Sequence, residues 1–127
     1  MKYLLDTHAF IWWMEGGKKL SPKIKNILQD SSEDIFVSVA SVWEIVIKKS
    51  KGRLKTPKDI AGGIREAGFK ILSIEISHVL EVGELSLRKD HQDPFDRILI
   101  AQARAEKLTL VTSDPKIWKY KIPVLKA

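Results

Sequence analysis

The chain has 127 residues, of which 44% are hydrophobic and 30% charged, a balance that suits one folded domain with a real core and excludes a disordered segment. It has no cysteine, which excludes disulfides, thiolate nucleophiles and cysteine zinc sites and fits a reducing compartment. The net charge of +6 favours polyanionic partners, although a lysine-rich surface also serves solubility alone. In chain order, Lys2 to Leu5 is a short buried strand. Thr7 to Met14 is a loop or short helix, stopped by Gly16-Gly17. Ser21-Pro22 starts a helix, with Ser as N-cap and Pro at the first position, that runs to about Asp30. Ile35 to Ser38 is a second strand, and Ala40 to Lys49 a helix ended by Gly52. Thr56-Pro57 opens a helix reaching about Ala67, and Phe69 to Leu72 is a third strand. Ser77 to Leu85 is helical, and Asp93-Pro94 starts the longest clear helix, ending near Lys107. Thr109 to Thr112 is a fourth strand and Pro123 to Leu125 a candidate fifth.

Strands alternating with helices predict an α/β fold, a parallel sheet with helices on both faces, as a single domain over residues 1–127. The N-terminus lacks a secretory pattern, because Asp6 interrupts the first apolar run. The densest apolar stretch there, Ala9 to Met14, is too short to span a bilayer. A soluble cytoplasmic protein is the expectation.

Four carboxylates fall where such a sheet would gather them. Asp6 ends the run Tyr3-Leu4-Leu5, and Asp114 follows Leu108-Thr109-Leu110-Val111-Thr112. Glu44 and Asp96 lie in the first turns of two helical patterns. Open parallel sheets bind ligands beyond the carboxyl ends of their strands, so these acids are expected to converge on one pocket. Each alone has a plainer explanation. Asp6 and Asp114 suit loop openings or N-caps. Glu44 can pair with Lys48 one turn on, worth about 0.3–0.5 kcal/mol if exposed. Yet Glu44 is embedded in Val42-Trp43-Glu44-Ile45-Val46-Ile47, where a charge is costly unless paired or bound to metal. Asp93 and Asp96 compete for the pocket. Asp93 precedes Pro94 as an N-cap would, whereas Asp96 shares a helical face with Ile100 and Ala103. Asp96 is therefore assigned to the pocket and Asp93 mainly to capping, with the reverse and a shared role left open.

Grouped carboxylates repel and raise one another's pKa, and a hard divalent cation removes that penalty. Oxygen ligands suit Mg²⁺, with Mn²⁺ as the alternative.

Leu4-Leu5-Asp6-Thr7-His8, Ser41-Val42-Trp43-Glu44-Ile45, Asp93-Pro94-Phe95-Asp96-Arg97 through Ala101-Gln102-Ala103, and Thr112-Ser113-Asp114 occur in this order along essentially the whole chain. The ordered set resembles the PIN-domain nucleases, and within them the VapC-type toxins of prokaryotic toxin–antitoxin pairs. The resemblance implies a three-layer α/β/α sandwich and metal-dependent cleavage of RNA phosphodiesters. It also implies Asp6, Glu44, Asp96 and Asp114 as the catalytic and metal-binding quartet, and Thr112 as a hydroxyl that orients an acid or a water. A cognate antitoxin that blocks the pocket with a short peptide segment and a homodimer are implied on the same basis, with the tryptophans near residue 12 as candidates for the subunit contact.

Other residues carry weaker signals. Lys48, Lys49, Lys51, Arg53 and Lys55 form either a solvated helix end or a phosphate track leading to the pocket. Arg97 could contact substrate or pair with an acid, and His8 lies two residues from Asp6. His78 and His91 have no metal-ligand spacing with His8. Trp12, Trp13 and Trp43 suit core or subunit contacts better than base stacking. Arg88, Lys89, Trp118 and Tyr120 carry no signal alone. A catalytically idle RNA- or protein-binding module is the main alternative. A phosphohydrolase with an aspartate after its first strand ranks lower, because the second acid of an Asp-x-Asp pattern is replaced by His8 and no phosphate-binding glycine fingerprint is present. A DNA nuclease ranks below an RNA nuclease, because no DNA-reading insertion is visible.

Overall fold

A computed structural model describes residues 1–52, 59–85 and 93–127. The sequence readings at Arg53, Lys55, Thr56, Pro57, Arg88, Lys89 and His91 lie outside the described residues. The elements are β1 (Lys2–Leu5), α1 (Thr7–Met14), α2 (Pro22–Gln29), β2 (Asp34–Ser38), α3 (Val39–Ser50), α4 (Ile60–Glu66), β3 (Lys70–Leu72), α5 (Ile76–Glu84), α6 (Pro94–Glu106), β4 (Thr109–Thr112), α7 (Pro115–Trp118) and β5 (Val124–Lys126). The five strands form one sheet in the order β3-β2-β1-β4-β5, and every pairing is parallel.

The expected alternation is therefore present, with local adjustments that have physical causes. Thr7–Met14 resolves as a helix because the Asp6 carboxylate caps it, accepting the Ala9 N–H at 2.7 Å. Phe69 stays outside β3 because its N–H is spent on the Ile64 carbonyl at the end of α4. Pro123 stays outside β5 because it has no N–H for the ladder; its carbonyl accepts from Leu110 instead. Helix α7 is a single turn that the sequence reading treated as a turn or cap. Gly52 and Gly68 close α3 and α4 at φ of +69° and +77°, where a side chain would be strained.

Two cores sandwich the sheet. Successive strand residues point to opposite faces, so Tyr3, Leu5, Ile35, Val37 and Val111 pack into one layer with Phe10, Ile24 and Ile64 of α1, α2 and α4. Leu4 and Leu110 face the other layer, against Leu99, Ile100 and Ala103 of α6 and Ile117 of α7. Strand β1 is buried on both faces, which is why it reads as a continuous apolar run. No helix among the described residues is long and apolar enough to cross a membrane.

The topology sets the position of the site. From β1 the chain adds β2 and β3 on one side, then crosses through α5 and α6 to place β4 on the other side of β1. Strand order thus reverses between β1 and β4, and a crevice opens at the carboxyl ends of these two strands. Asp6 leaves β1 and Asp114 leaves β4 at that edge.

Candidate active site

Asp6 is 4% exposed at the start of α1. Burial raises its carboxyl to about 6; the Thr112 hydroxyl, the Ala9 N–H and the charge of His8 oppose the rise, and the charge of Asp96 adds to it. Two sequence-assigned acids, from β1 and the first turn of α6, are thereby within electrostatic reach of each other. Thr112 connects a third. Its hydroxyl donates to Asp6 and accepts the Asp114 N–H at 3.1 Å, so one side chain at the end of β4 holds both strand-end acids in register. Asp114 in turn caps α7, with Oδ1 accepting the Lys116 N–H at 2.9 Å.

Glu44 lies on α3 and is buried. Its Oε2 lies 3.0 Å from Lys48 Nζ, the i+4 pairing weighed from the sequence, while Oε1 is buried without a hydrogen-bond partner. One turn before it, Ser41 Oγ accepts the Thr7 hydroxyl at 3.0 Å, which ties this face of α3 to the residue after Asp6. The Thr7–Ser41 contact escaped the sequence reading. Spacing gave the only signal for it, because Ser41 lies three residues before Glu44 and so on the same helical face.

Asp93 is exposed and caps α6, its Oδ1 accepting the Asp96 N–H at 3.0 Å. Asp96 lies in the first turn of α6 and is half-buried. Arg97 is 9% exposed, and its Nη1 donates to the Tyr120 hydroxyl at 3.2 Å, so it braces α6 against the segment after α7. Lys49 is exposed beside the engaged Lys48. Trp12 and Trp13 are partly buried against the core, and Trp13 stacks at a tilt on Phe69.

The family model for the PIN domain matches residues 3–122. The chain belongs to the PIN domain family. No curated protein matches it in sequence. Among solved structures, this PIN domain is similar to a chain of VapBC2 from Rickettsia felis bound to a DNA fragment from their promoter, with 18% identity and a TM-score of 0.72 over 98% of each chain. It is similar to a chain of DNA-bound VapBC from Salmonella typhimurium, with 16% identity and a TM-score of 0.73 over 98% of this chain and 97% of that one. A chain of FitAcB from Neisseria gonorrhoeae matches at 19% identity and a TM-score of 0.66, over 98% of this chain and 96% of that one. At these identities the likeness establishes the shared α/β/α sandwich.

The donor set of this PIN domain suits a hard divalent cation. Asp6, Asp96 and Asp114 place carboxylates at the ends of β1 and β4 and in the first turn of α6, Glu44 Oε1 is a buried acceptor without a donor, and burial raises the Asp6 carboxyl to about 6. Among the described residues no three His, Asp or Glu side chains gather closely enough to form a ready cage. Magnesium is compatible with that looser arrangement, because it retains several waters and commonly binds through one or two carboxylates plus substrate phosphate oxygens.

Proposed function

We propose that this PIN domain is a metal-dependent endoribonuclease acting as the toxin of a toxin–antitoxin module. The observation that carries the reading is Asp6: a carboxyl buried at the strand-order reversal, raised to about 6 by that burial, with the charge of Asp96 adding a smaller part. A fold with no use for a cation gains nothing from holding acids in that relation. Asp6 and Asp114 would hold the ion, with Asp96 and Glu44 reaching it directly or through water, and Mg²⁺ or Mn²⁺ fits their oxygens. A cation held there supplies Lewis acidity, making water a better nucleophile and stabilising charge on the phosphoryl oxygens. Thr112 fixes the orientation of Asp6 and of the Asp114 backbone, and Asp93 supports Asp96 by capping the helix that carries it. Lys48 neutralises one Glu44 oxygen, and exposed Lys49 remains a candidate for phosphate contact.

The toxin role draws support from the likeness to chains of VapBC assemblies and of a toxin–antitoxin complex from Klebsiella pneumoniae. A cognate antitoxin is the corresponding partner. RNA is ranked above DNA as substrate because the sequence shows no DNA-reading insertion; the net charge of +6 would serve either polymer. Cytoplasmic placement agrees with the absence of cysteine.

A homodimer is supported by an exposed apolar face rather than by Trp12 and Trp13. Trp43 is 58% exposed, Ile76 79%, Val79 56% and Leu80 67%, and a groove of about 310 Å³ between α3, α5 and α6 joins Trp43 to Phe95 and Ile98. Apolar patches of this kind on small proteins commonly mark contacts between subunits.

The deciding experiment incubates purified protein with a mixed RNA pool in Mg²⁺, in Mn²⁺ and in EDTA, beside Asp6→Asn prepared identically. Cutting is expected with either ion, and it should vanish in EDTA and in the variant. Equal cutting by both proteins would remove Asp6 from the mechanism. Cation binding without turnover would favour the idle binding module.

A further inference from the structure

The last thirteen residues, 115–127, contain four lysines and no acid. The fold brings part of this segment back to the site. Strand β5 runs parallel to β4, and Lys126 is in register with Thr112, so it stands at the carboxyl end of the sheet one strand away from the hydroxyl that bonds Asp6. Lys116 lies on α7, its backbone N–H held by the Asp114 carboxylate. Between them sits half-buried Trp118, whose indole N–H donates to the Thr112 carbonyl at 3.2 Å, which fixes the ring. Lys126 Nζ rests over that ring, 4.5 Å from its centre. Both lysines are exposed, and among the described residues neither ammonium has a carboxylate partner. Lys48, by contrast, is committed to Glu44.

An ammonium parked on an indole is easily transferred to a phosphate, and its departure frees an aromatic face on which a nucleobase can stack. We propose that Lys116, Trp118 and Lys126 form the surface that holds single-stranded RNA on the Asp114 side of the pocket, with the lysines on backbone phosphates and the indole against a base. The proposal rests on the nuclease reading and adds the path of the substrate. It also accounts for a basic segment following directly on an acidic site: the cation needs the acids and the polymer needs the lysines.

The test measures binding of a short labelled single-stranded RNA by fluorescence anisotropy in EDTA, where no cutting occurs, across a series of KCl concentrations. Lys116→Gln with Lys126→Gln is expected to weaken binding roughly tenfold and to lower the salt slope by about 1.4, since each single-strand phosphate contact contributes about 0.7. Trp118→Leu, which keeps an apolar side chain but removes the aromatic plane, should weaken binding roughly tenfold with little change in slope. Lys2→Gln, a charge removed at the amino end of β1, serves as control, and thermal melts verify that each variant is folded. If the double lysine variant binds like Lys2→Gln while the parent binds RNA well, the proposed surface is overturned and the nuclease reading stands. If the parent itself fails to bind the RNA, the proposed surface is overturned, whereas the nuclease reading stands or falls on the cleavage assay with Mg²⁺ and Mn²⁺. Displacement of the RNA by polyglutamate as effectively as by unlabelled RNA would also overturn it, because the surface would then be a general anion patch.

Discussion

Asp6 combines three duties that pull in different directions. It caps α1, it accepts the Thr112 hydroxyl, and it sits buried beside Asp96. The carboxyl is raised from 3.8 to about 6 in the folded chain, so the folded state keeps the proton to higher pH than the unfolded state does. Below about pH 4 both states are protonated and there is no penalty. Between about 4 and 6 the unfolded chain ionises first, so stability should fall as pH rises, by roughly 3 kcal/mol in total for a shift of about two pH units. Above 6 this contribution is flat. Asp6→Asn keeps a capping oxygen and removes the charge, so it should flatten this pH dependence and stabilise the metal-free protein by about 2 kcal/mol at pH 7.5, as read from urea unfolding curves. A variant no more stable than the parent at that pH would contradict the buried charge. Mg²⁺ should stabilise the parent and have little effect on Asp6→Asn. Thr112→Val preserves shape but leaves the Asp114 N–H without its acceptor, and is expected to cost about 1–3 kcal/mol by the same measurement.

Between elements, the layer beneath the site is fastened by a buried polar chain. The Ser38 hydroxyl at the end of β2 donates to Gln102 Oε1 on α6 at 2.6 Å, and Gln102 Nε2 donates to the Ser73 carbonyl at 3.2 Å. The same amide lies 3.4 Å from His78 Nδ1 on α5, and that nitrogen accepts the Glu75 N–H at 3.0 Å. All three side chains are essentially excluded from water. Each group depends on the others for its partner, so Gln102→Leu should lower stability by about 1–3 kcal/mol. Ser38→Ala combined with Gln102→Leu should cost less than the sum of the single changes, because the second removes a partner already lost. Additive losses in denaturation experiments would mean that the pair is not coupled. This chain also fixes where α6 begins relative to β2, and α6 delivers Asp96 to Asp6.

Across the whole molecule, polarity is divided between faces. The carboxyl edge of the sheet collects acids with lysines nearby, while α3 and α5 expose Trp43, Val46, Ile76, Val79 and Leu80. An apolar face of this kind is expected to pair two copies of the chain. Leu80→Glu with Trp43→Glu should convert a dimer to a monomer in sedimentation velocity while leaving the melting profile cooperative, since both side chains are mostly exposed within the subunit. A parent chain that sediments as a monomer at micromolar concentration would remove the homodimer from the picture.

Neighbours within about four residues govern the features that could be read from the chain. The apolar run of β1, the Ser21-Pro22 and Asp93-Pro94 helix starts and the stop at Gly52 all follow from local sterics and capping, and all are present. The candidacy of the four acids was also visible, because strand ends and apolar surroundings are local properties. The Glu44–Lys48 pair could be anticipated, since the two lie one helical turn apart. Other features depend on partners far along the chain. The bond from Arg97 to Tyr120 joins residues 23 apart in the chain, and Lys126 comes to stand beside Thr112 only because β5 returns it there. The rise at Asp6 likewise requires the packed core to exclude water, with α6 adding the smaller effect of the Asp96 charge. Periodicity and capping are short-range physics, so the chain alone specifies its elements. Burial, charge coupling and the supply of hydrogen-bond partners arise when distant elements pack, and only the folded arrangement assigns them.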